Sequence, residues 1–412
     1  MKSSVICGID VGNATIKTVI AEIGQDVLRP SIIGVGVAPS NGLRRGTVVD
    51  MEEAMQSVGA SIANAEAMAG VKVKQAYASV SGTHIRTQTS RGVIAVARAD
   101  NEISQSDMTR LIEAASTVSL PLNYEIIHVV PRAFIIDGQE HVKNPVGMKG
   151  VRVEVEVLLI EGLSPYMRNL AKCINASGVE VSEFVYAPLA ASKAVLDKHQ
   201  REYGVALVDL GGGVSSLALF HEGDLVHTAI MPIGARHITN DLAIAFRTSL
   251  DVAEEIKHEY GFVGSAEATS KKEQVDLSSM LGEDGSVVPR KQIGKIVDAR
   301  IHELFDLITQ EFKKPAANLM FPAGIVLAGG GANLAGLPAF AKNRIGLAVR
   351  IAGVSGLDGF TDQISDPSFA VAVGLILWGA DQLQSGGERG GSTFMSGSGV
   401  KRAVKWLKNF MP

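Results

Sequence analysis

Two stretches of this chain, CGIDVGNATIKTVIAEIG at residues 7–24 and LVDLGGGVSSLALFHEG at 207–223, follow one plan. Each runs from a short apolar segment to an aspartate, through a glycine-rich turn with small hydroxyl or amide residues, into a second β-branched or apolar segment. Strand, tight turn and strand make a β-hairpin, and a unit written twice predicts two related α/β halves. Asp10 and Asp209 occupy corresponding places. Gly12 in one turn, and Gly211, Gly212 and Gly213 in the other, lack the Cβ that would hold an anion away from backbone N–H groups, so each turn can cradle a phosphate. Ala14 completes the first turn, Asn13, Thr15, Ser215 and Ser216 add polar side chains, and Lys17 is a point charge able to reach a terminal phosphate. An acid beside such a cradle is the usual means of holding Mg2+, often through water. A single glycine-rich hairpin is most often only a turn. Two copies, each preceded by the acid, predict a nucleotide and Mg2+ between two halves, with Asp10 and Asp209 as metal ligands.

Composition narrows the remaining classes. With 412 residues, 46% hydrophobic and 20% charged, the chain has ample core for roughly two to four domains. A net charge of -4 and a pI near 6.2 argue against a nucleic-acid binder, which usually carries a basic face. Two cysteines, Cys7 and Cys173, are too few for a disulfide framework and fit a reducing compartment. Nine histidines without HExxH or CxxC patterns predict no zinc site. The apolar patch near the start is broken by Asp10 and Asn13 and is followed by no small-residue cleavage site, so no secretion signal is expected. No stretch reaches the ~18 uninterrupted apolar residues of a spanning helix; FAVAVGLILWGA at 369–380 falls short.

A third glycine loop, AGIVLAGGGANLAGL at 323–337, reads as a buried strand, a triple glycine (Gly329, Gly330, Gly331) and a helix start. Without a Lys-Ser/Thr pair it is not a Walker A loop. Glycines there can lie flat against a purine ring or bring a helix N-terminus near a phosphate. Taken in order, the loops resemble the actin/Hsp70/sugar-kinase superfamily. The first phosphate motif falls at 8–20, a connecting helix in FVYAPLAASKAVL (184–196), the second phosphate motif at 207–220, an adenosine motif at 324–337, and a second connecting helix in DPSFAVAVGLILWGA (366–380). The resemblance implies an α/β, ribonuclease H-like duplicated two-lobe ATPase fold with Mg-ATP in the cleft, and it adds Asn333 to the nucleotide contacts. It also implies a ribose- and purine-contacting helix in DVAEEIKHEYG (251–261), with Glu254 and Lys257 on one face at i,i+3. Read without the family, that segment is equally a solvated charged helix.

The stretches 83–116 and 123–162 alternate strand-like runs with a helix-like stretch, a compact α+β insertion near the smallest size that holds its own core. GLRRGTVVD (42–50) and IDGQEHVKNPVGMKGVRVEVEVLLI (136–160) carry a closer resemblance, over nearly the whole chain, to the FtsA family of actin-like bacterial cell-division proteins. In that family the insertion serves polymer contacts and downstream divisome proteins. A small subdomain of the second lobe binds the C-terminal tail of the tubulin-like protein FtsZ. The implied layout is a first-lobe core at 1–82, 162–196 and 356–383, an inserted subdomain at 83–161, and a second-lobe core at 197–232 and 312–355. The small subdomain follows at 233–311, then a linker at 384–399 and a terminal helix at 400–412. DARIHELFDLITQEF (298–312) matches the family's tail-binding helix, which brings Arg300 and Glu303 to the tail, with Lys291 and Lys295 as further basic candidates for an acidic peptide. Each of these charges reads equally as the outer face of an ordinary amphipathic helix. GSAEATSKKEQVDLSSMLGEDGSVV (264–288) reads as a loop-rich excursion.

Family hydrolases place a Glu or Gln around the first connecting segment to orient the attacking water. Here VYAPLAAS has Ala187 before Pro188 and no carboxylate or amide nearby. Tight nucleotide binding with slow hydrolysis is therefore expected, with no catalytic residue assigned.

QSGGERGGSTFMSGSG (384–399) is a Gly/Ser-rich coil spanning about 20–24 Å root-mean-square. In VKRAVKWLKNFMP, Val400, Ala403, Val404, Leu407, Phe410 and Met411 share one helical face; Lys401, Arg402, Lys405 and Lys408 crowd the other, and Trp406 stands at the boundary. That is the pattern of an interfacial helix on anionic lipid. Four basic residues contribute on the order of 4 kcal/mol near an anionic leaflet, reduced because so short a helix must fold as it binds. One tail then binds reversibly and a row of tails on a filament binds firmly. The expected protein is an ATP-binding, self-assembling tether of FtsZ on the cytoplasmic face of the bacterial inner membrane at the division site. Two alternatives stand beside it: a sugar-type small-molecule kinase, which needs a catalytic carboxylate not found here, and an actin-like pilus-assembly protein, against which the tail argues.

Overall fold

The computed structural model describes residues 4–24, 29–264, 274–281, 287–316 and 319–384. Two sheets repeat one topology. In the first, the order is Glu180–Tyr186, Gln75–Val80, Ser4–Val11, Thr15–Ile23, Ser31–Pro39 and the short Asp358–Gly359. In the second it is Val349–Ile351, Ile325–Ala328, Val205–Leu210, Ser215–His221 and Asp224–Met231. Each begins with a three-strand antiparallel meander and adds two parallel strands on the side of its first strand. The registers of the two hairpins coincide as well: Asp10 faces Lys17, and Asp209 faces Ser216. The central strand VALVDL is buried at every position except Asp209, which is half-buried, as expected of a strand covered on both faces.

Two helices lie between the sheets, Ala187–Val195 and Ala370–Gln384, and share one apolar cluster with residues of both. The second is apolar on almost every side because it is enclosed by protein. They cross backbone to backbone: a Cβ on Gly374 would lie 1.8 Å from the Ala190 carbonyl oxygen. Among the described residues no helix is long and apolar enough to cross a membrane.

The segment between Gln75–Val80 and Glu180–Tyr186 carries a four-stranded antiparallel sheet, ordered Ile85–Ala95, Arg152–Leu163, Tyr124–Ile136, Gln139–Val142. Helix Gln105–Ser116, begun by a Ser104/Asp107 capping box, covers one face. In VRVEVEVLL the valines at 153, 155 and 157 point inward and the glutamates between them outward, so period-two alternation builds a separate core with Met108, Leu111 and Ile112. This subdomain touches both lobes. His128 Nε2 accepts from the Tyr186 N–H of the first lobe (3.0 Å) and Arg132 Nε donates to the Leu225 carbonyl of the second (3.3 Å), while Tyr186 Oη joins the two lobes through Thr228 Oγ1 (2.9 Å).

On the second lobe, helices Ala235–Phe246, Leu250–Tyr260 and Arg290–Ala316 form a smaller unit. Part of the expected loop-rich excursion is ordered as paired strands, Gln274–Asp276 with Val287–Pro289. Val275, Leu277 and Val288 bury against the second-lobe core and so hold the pair in place. The linker from residue 385 onward and the whole of 400–412 lie outside the described residues.

Candidate functional site

The turns of the two hairpins meet. A Cβ on Gly12 would lie 2.6 Å from the Thr15 carbonyl oxygen, and one on Gly211 the same distance from that of Val214, so both turns need glycine at the same point. A Cβ on Gly212 would lie 2.8 Å from Ala14 Cβ, and one on Gly213 2.7 Å from Asn13 Cγ. These glycines let one turn nest on the other. Asn13 is held by the Gly46 N–H, which donates to its Oδ1 (2.8 Å).

Around this junction lies a cavity of about 570 Å³. Asp10, Lys17 and Asp209 line it together, one hairpin supplying the first two and its counterpart the third. Ser79 Oγ donates to Asp10 Oδ1 (2.8 Å) and accepts from the Val11 N–H (2.9 Å). Lys17 Nζ donates to Thr15 Oγ1 (2.8 Å) and lies 5.4 Å from the Phe369 ring centroid. Gly329 has φ +80°, and a Cβ there would lie 2.3 Å from Asp209 Oδ1, so the glycine loop can press directly on that carboxyl.

Burial pushes both carboxyls up. For Asp209 the value rises to about 7, from burial first and the charge of Asp10 second, with Lys17 opposing. Asp10 rises through burial, against Lys17 and the Ser79 hydrogen bond. Two neighbouring buried acids repel each other unless a cation offsets their charge, which is chemistry a divalent ion could supply. Among the described residues no cluster of three or more His, Cys, Asp or Glu side chains is arranged for a metal. A Mg2+ held by Asp10 and Asp209 would have to draw its other oxygens from water and phosphate, the usual habit of that ion.

Most of the expected nucleotide contacts line this one cavity: Asp10, Gly12, Asn13, Ala14, Lys17, Asp209, Gly211 to Gly213, Glu254, Lys257, Gly329 to Gly331 and Asn333. Ser215 departs from the expectation. It is buried, its hydroxyl donates to the Ile233 carbonyl (2.8 Å), and its neighbour Ser216 lines the cavity instead. Strand alternation is the reason: Ser216 stands across from Asp209 and shares its face, whereas Ser215 stands across from Leu210. Helix Leu250–Tyr260 is no mere solvated helix, since Lys257 is buried and forks onto both Glu254 carboxylate oxygens (2.6 Å each). Asn333 Nδ2 donates to Asp366 Oδ2 (2.8 Å), tying the glycine loop to the start of the second interlobe helix.

Several lining residues were not legible as site residues. Ser79 and Arg236 carry no motif of their own, and Glu259, Asp366 and Ser368 fall inside the segments 251–261 and 366–380, where the pattern singles out other residues or only a helix. Ser79 has a weak signal, standing near the end of the buried parallel strand Gln75–Val80 that runs beside Asp10.

Of the candidates for peptide binding, Arg300 departs from a free basic group. Its Nε and Nη2 fork onto Asp241 (2.9 and 3.0 Å), its Nη1 donates to Glu303 (2.6 Å), and it lines the cavity. On the same helix Lys291 is half-buried and Lys295 exposed. Val400, Lys401, Arg402, Val404, Lys405, Trp406, Leu407, Lys408 and Phe410 lie outside the described residues.

A repeated meander-plus-parallel sheet, two helices between the copies, and twin hairpin turns across one cavity define an actin-like two-lobe fold. Solved structures agree on the fold. The PilM-PilN type IV pilus biogenesis complex aligns at TM-score 0.67 over 91% of this chain and 98% of that one, at 16% identity. MreB5 of Spiroplasma citri bound to AMPPNP aligns at TM-score 0.54 over 92% and 96%, at 14% identity. The family is FtsA: this chain belongs to the FtsA family of cell-division proteins. The model for cell division protein FtsA matches residues 206–374, and that for the SHS2 domain inserted in FtsA matches 82–161. The Escherichia coli K12 cell division protein FtsA is 33% identical over 98% of this chain and 97% of its own length. That of Borreliella burgdorferi is 35% identical over 93% and 92%. The kinase and pilus-assembly alternatives have less support, the pilus relative sharing the fold alone.

Proposed function

We propose that this protein binds Mg-ATP between its lobes, assembles into filaments, and tethers FtsZ to the cytoplasmic face of the bacterial inner membrane at the division site. The observation that carries the reading is the meeting of the two hairpins, which puts Asp10 and Asp209 from separate halves on one cavity. Bound Mg-ATP supplies compensating charge: the cation neutralises the two acids, and the phosphates accept from backbone N–H groups and Lys17. The chain's own part is to orient these groups, with Ser79 fixing Asp10 and Gly329 packing on Asp209. Ala187 lines the cavity where a water-orienting side chain would stand, so hydrolysis is slow and the nucleotide acts as a structural ligand.

Family membership supports FtsZ as partner, through its C-terminal tail on helix Arg290–Ala316. Glu303 and Lys295 are exposed charges of that helix, while Arg300 braces it against Asp241. The inserted subdomain serves contacts with later divisome proteins and between protomers. The sequence of 400–412, basic on one helical face and apolar on the other, supports attachment to anionic lipid. The reading is tested by sedimentation with vesicles containing phosphatidylglycerol. Full-length protein is expected to co-sediment, more completely with Mg-ATP, and to carry FtsZ down with it; protein lacking 400–412 is expected to stay in the supernatant. Equal sedimentation with and without the tail would contradict the tether.

A further inference from the structure

We propose that Arg236 reads the terminal phosphate of a bound nucleoside triphosphate and so links the two lobes according to nucleotide state. The inference rests on the nucleotide reading of the cavity and adds a residue to it. Arg236 stands on a fixed base. A Cβ on Gly234 would lie 2.5 Å from the carbonyl oxygens of Gly211 and Gly212, and the N–H groups of Ala235 and Arg236 donate to those same carbonyls (2.9 Å each). The start of helix Ala235–Phe246 is thus fastened to the second hairpin turn. From there the Arg236 side chain crosses to the other lobe, where Nη1 donates to the Asn13 carbonyl of the first turn (2.8 Å).

Charge distinguishes this cation from Lys17, Lys257 and Arg300, which line the same cavity. Lys257 is ion-paired with Glu254, and Arg300 with Asp241 and Glu303. Lys17 lies among the acids of the metal site, and its charge already acts on Asp10 and Asp209. Arg236 has a neutral carbonyl as its partner and, among the described residues, no carboxylate in ion-pair range. A guanidinium carries five N–H donors in a planar fork suited to phosphate, and a charged oxygen is a stronger partner than a carbonyl. The carbonyl that Arg236 holds belongs to the junction where Asn13 packs on Gly213. A nucleotide whose base lies by Gly329 to Gly331 presents its phosphate end toward that junction. The group separating a triphosphate from a diphosphate is then the one that meets Arg236.

The test is calorimetric titration of full-length protein with Mg-AMPPNP and with Mg-ADP, for wild type, Arg236→Gln and Arg236→Lys. Loss of one charge-assisted contact predicts about tenfold weaker AMPPNP binding by Arg236→Gln, with ADP changed less than about twofold. Arg236→Lys, which keeps the charge and loses the fork, should retain part of the preference. Equal weakening of both nucleotides, or of neither, overturns the proposal. Should Arg236→Gln melt at a lower temperature than wild type, the lysine variant decides: a loss confined to AMPPNP supports the proposal and an equal loss overturns it. Failure of wild type to bind either nucleotide overturns the reading of the cavity itself, a result visible before any variant is compared.

Discussion

Asp209 occupies a position that disfavours its own charge. It stands near the end of a buried strand, lines one cavity with Asp10, and its carboxyl is pushed from 3.8 to about 7 by burial and by that neighbour. The folded protein therefore holds a proton that the unfolded chain has already released. For a carboxyl raised in this way, stability contributed by Asp209 is full below about pH 4 and is lost as pH climbs towards 7. Without nucleotide, Asp209→Asn should remove that pH dependence and melt no lower than wild type at pH 8, where wild type carries the buried charge. Melting curves at pH 5 and pH 8 check this, and a lower melting temperature for the variant at pH 8 would show that the charge has a stabilising partner within the protein. The two aspartates were legible in the sequence because an acid before a glycine turn is a local pattern. That Ser216 rather than Ser215 lines the cavity could not be read locally, because telling the two apart requires the strand register, which places Ser216 opposite Asp209. Arg236 was not legible for a different reason, since only the folded chain brings it across the lobes to Asn13.

Among the elements, the two helices between the sheets carry the joint. Ala187–Val195 ends a first-lobe strand and Ala370–Gln384 returns the chain to that lobe, and their closest approach is Gly374 on Ala190. Valine at 374 would drive a side chain into the Ala190 backbone, where neither helix can yield without moving a sheet. Gly374→Val should cost more than about 3 kcal/mol, beyond ordinary overpacking, because backbone rather than a flexible side chain is struck. Denaturant unfolding measures it; a loss below about 1 kcal/mol would mean that the helices slide apart freely. Both helices were legible from the resemblance, whereas the apolar run of the second, FAVAVGLILWGA at 369–380, taken alone only fell short of a membrane span. The hairpins and the alternating strands of the inserted subdomain were also legible, because period-two patterning over VRVEVEVLL needs no tertiary knowledge. The strands Gln274–Asp276 and Val287–Pro289 were not. Three residues carry too little pattern, and burial of Val275 and Val288 against the second lobe forms them.

For the whole molecule, duplication is the organising fact: two sheets of one topology present equivalent turns to a single cavity, so a ligand held by both turns fixes the relation of the lobes. That relation is what a head-to-tail filament would repeat. Division of labour between halves makes a quantitative demand, because partners that share one ion are not independent. The most direct test is titration of Mg-ATP into wild type, Asp10→Asn, Asp209→Asn and the double variant, each with and without Mg2+. A shared site predicts that either single substitution removes most of the Mg2+-dependent affinity and that the double variant loses little more. Wild-type Mg2+ dependence in either single variant, or losses that simply add, would mean that the two hairpins serve separate sites.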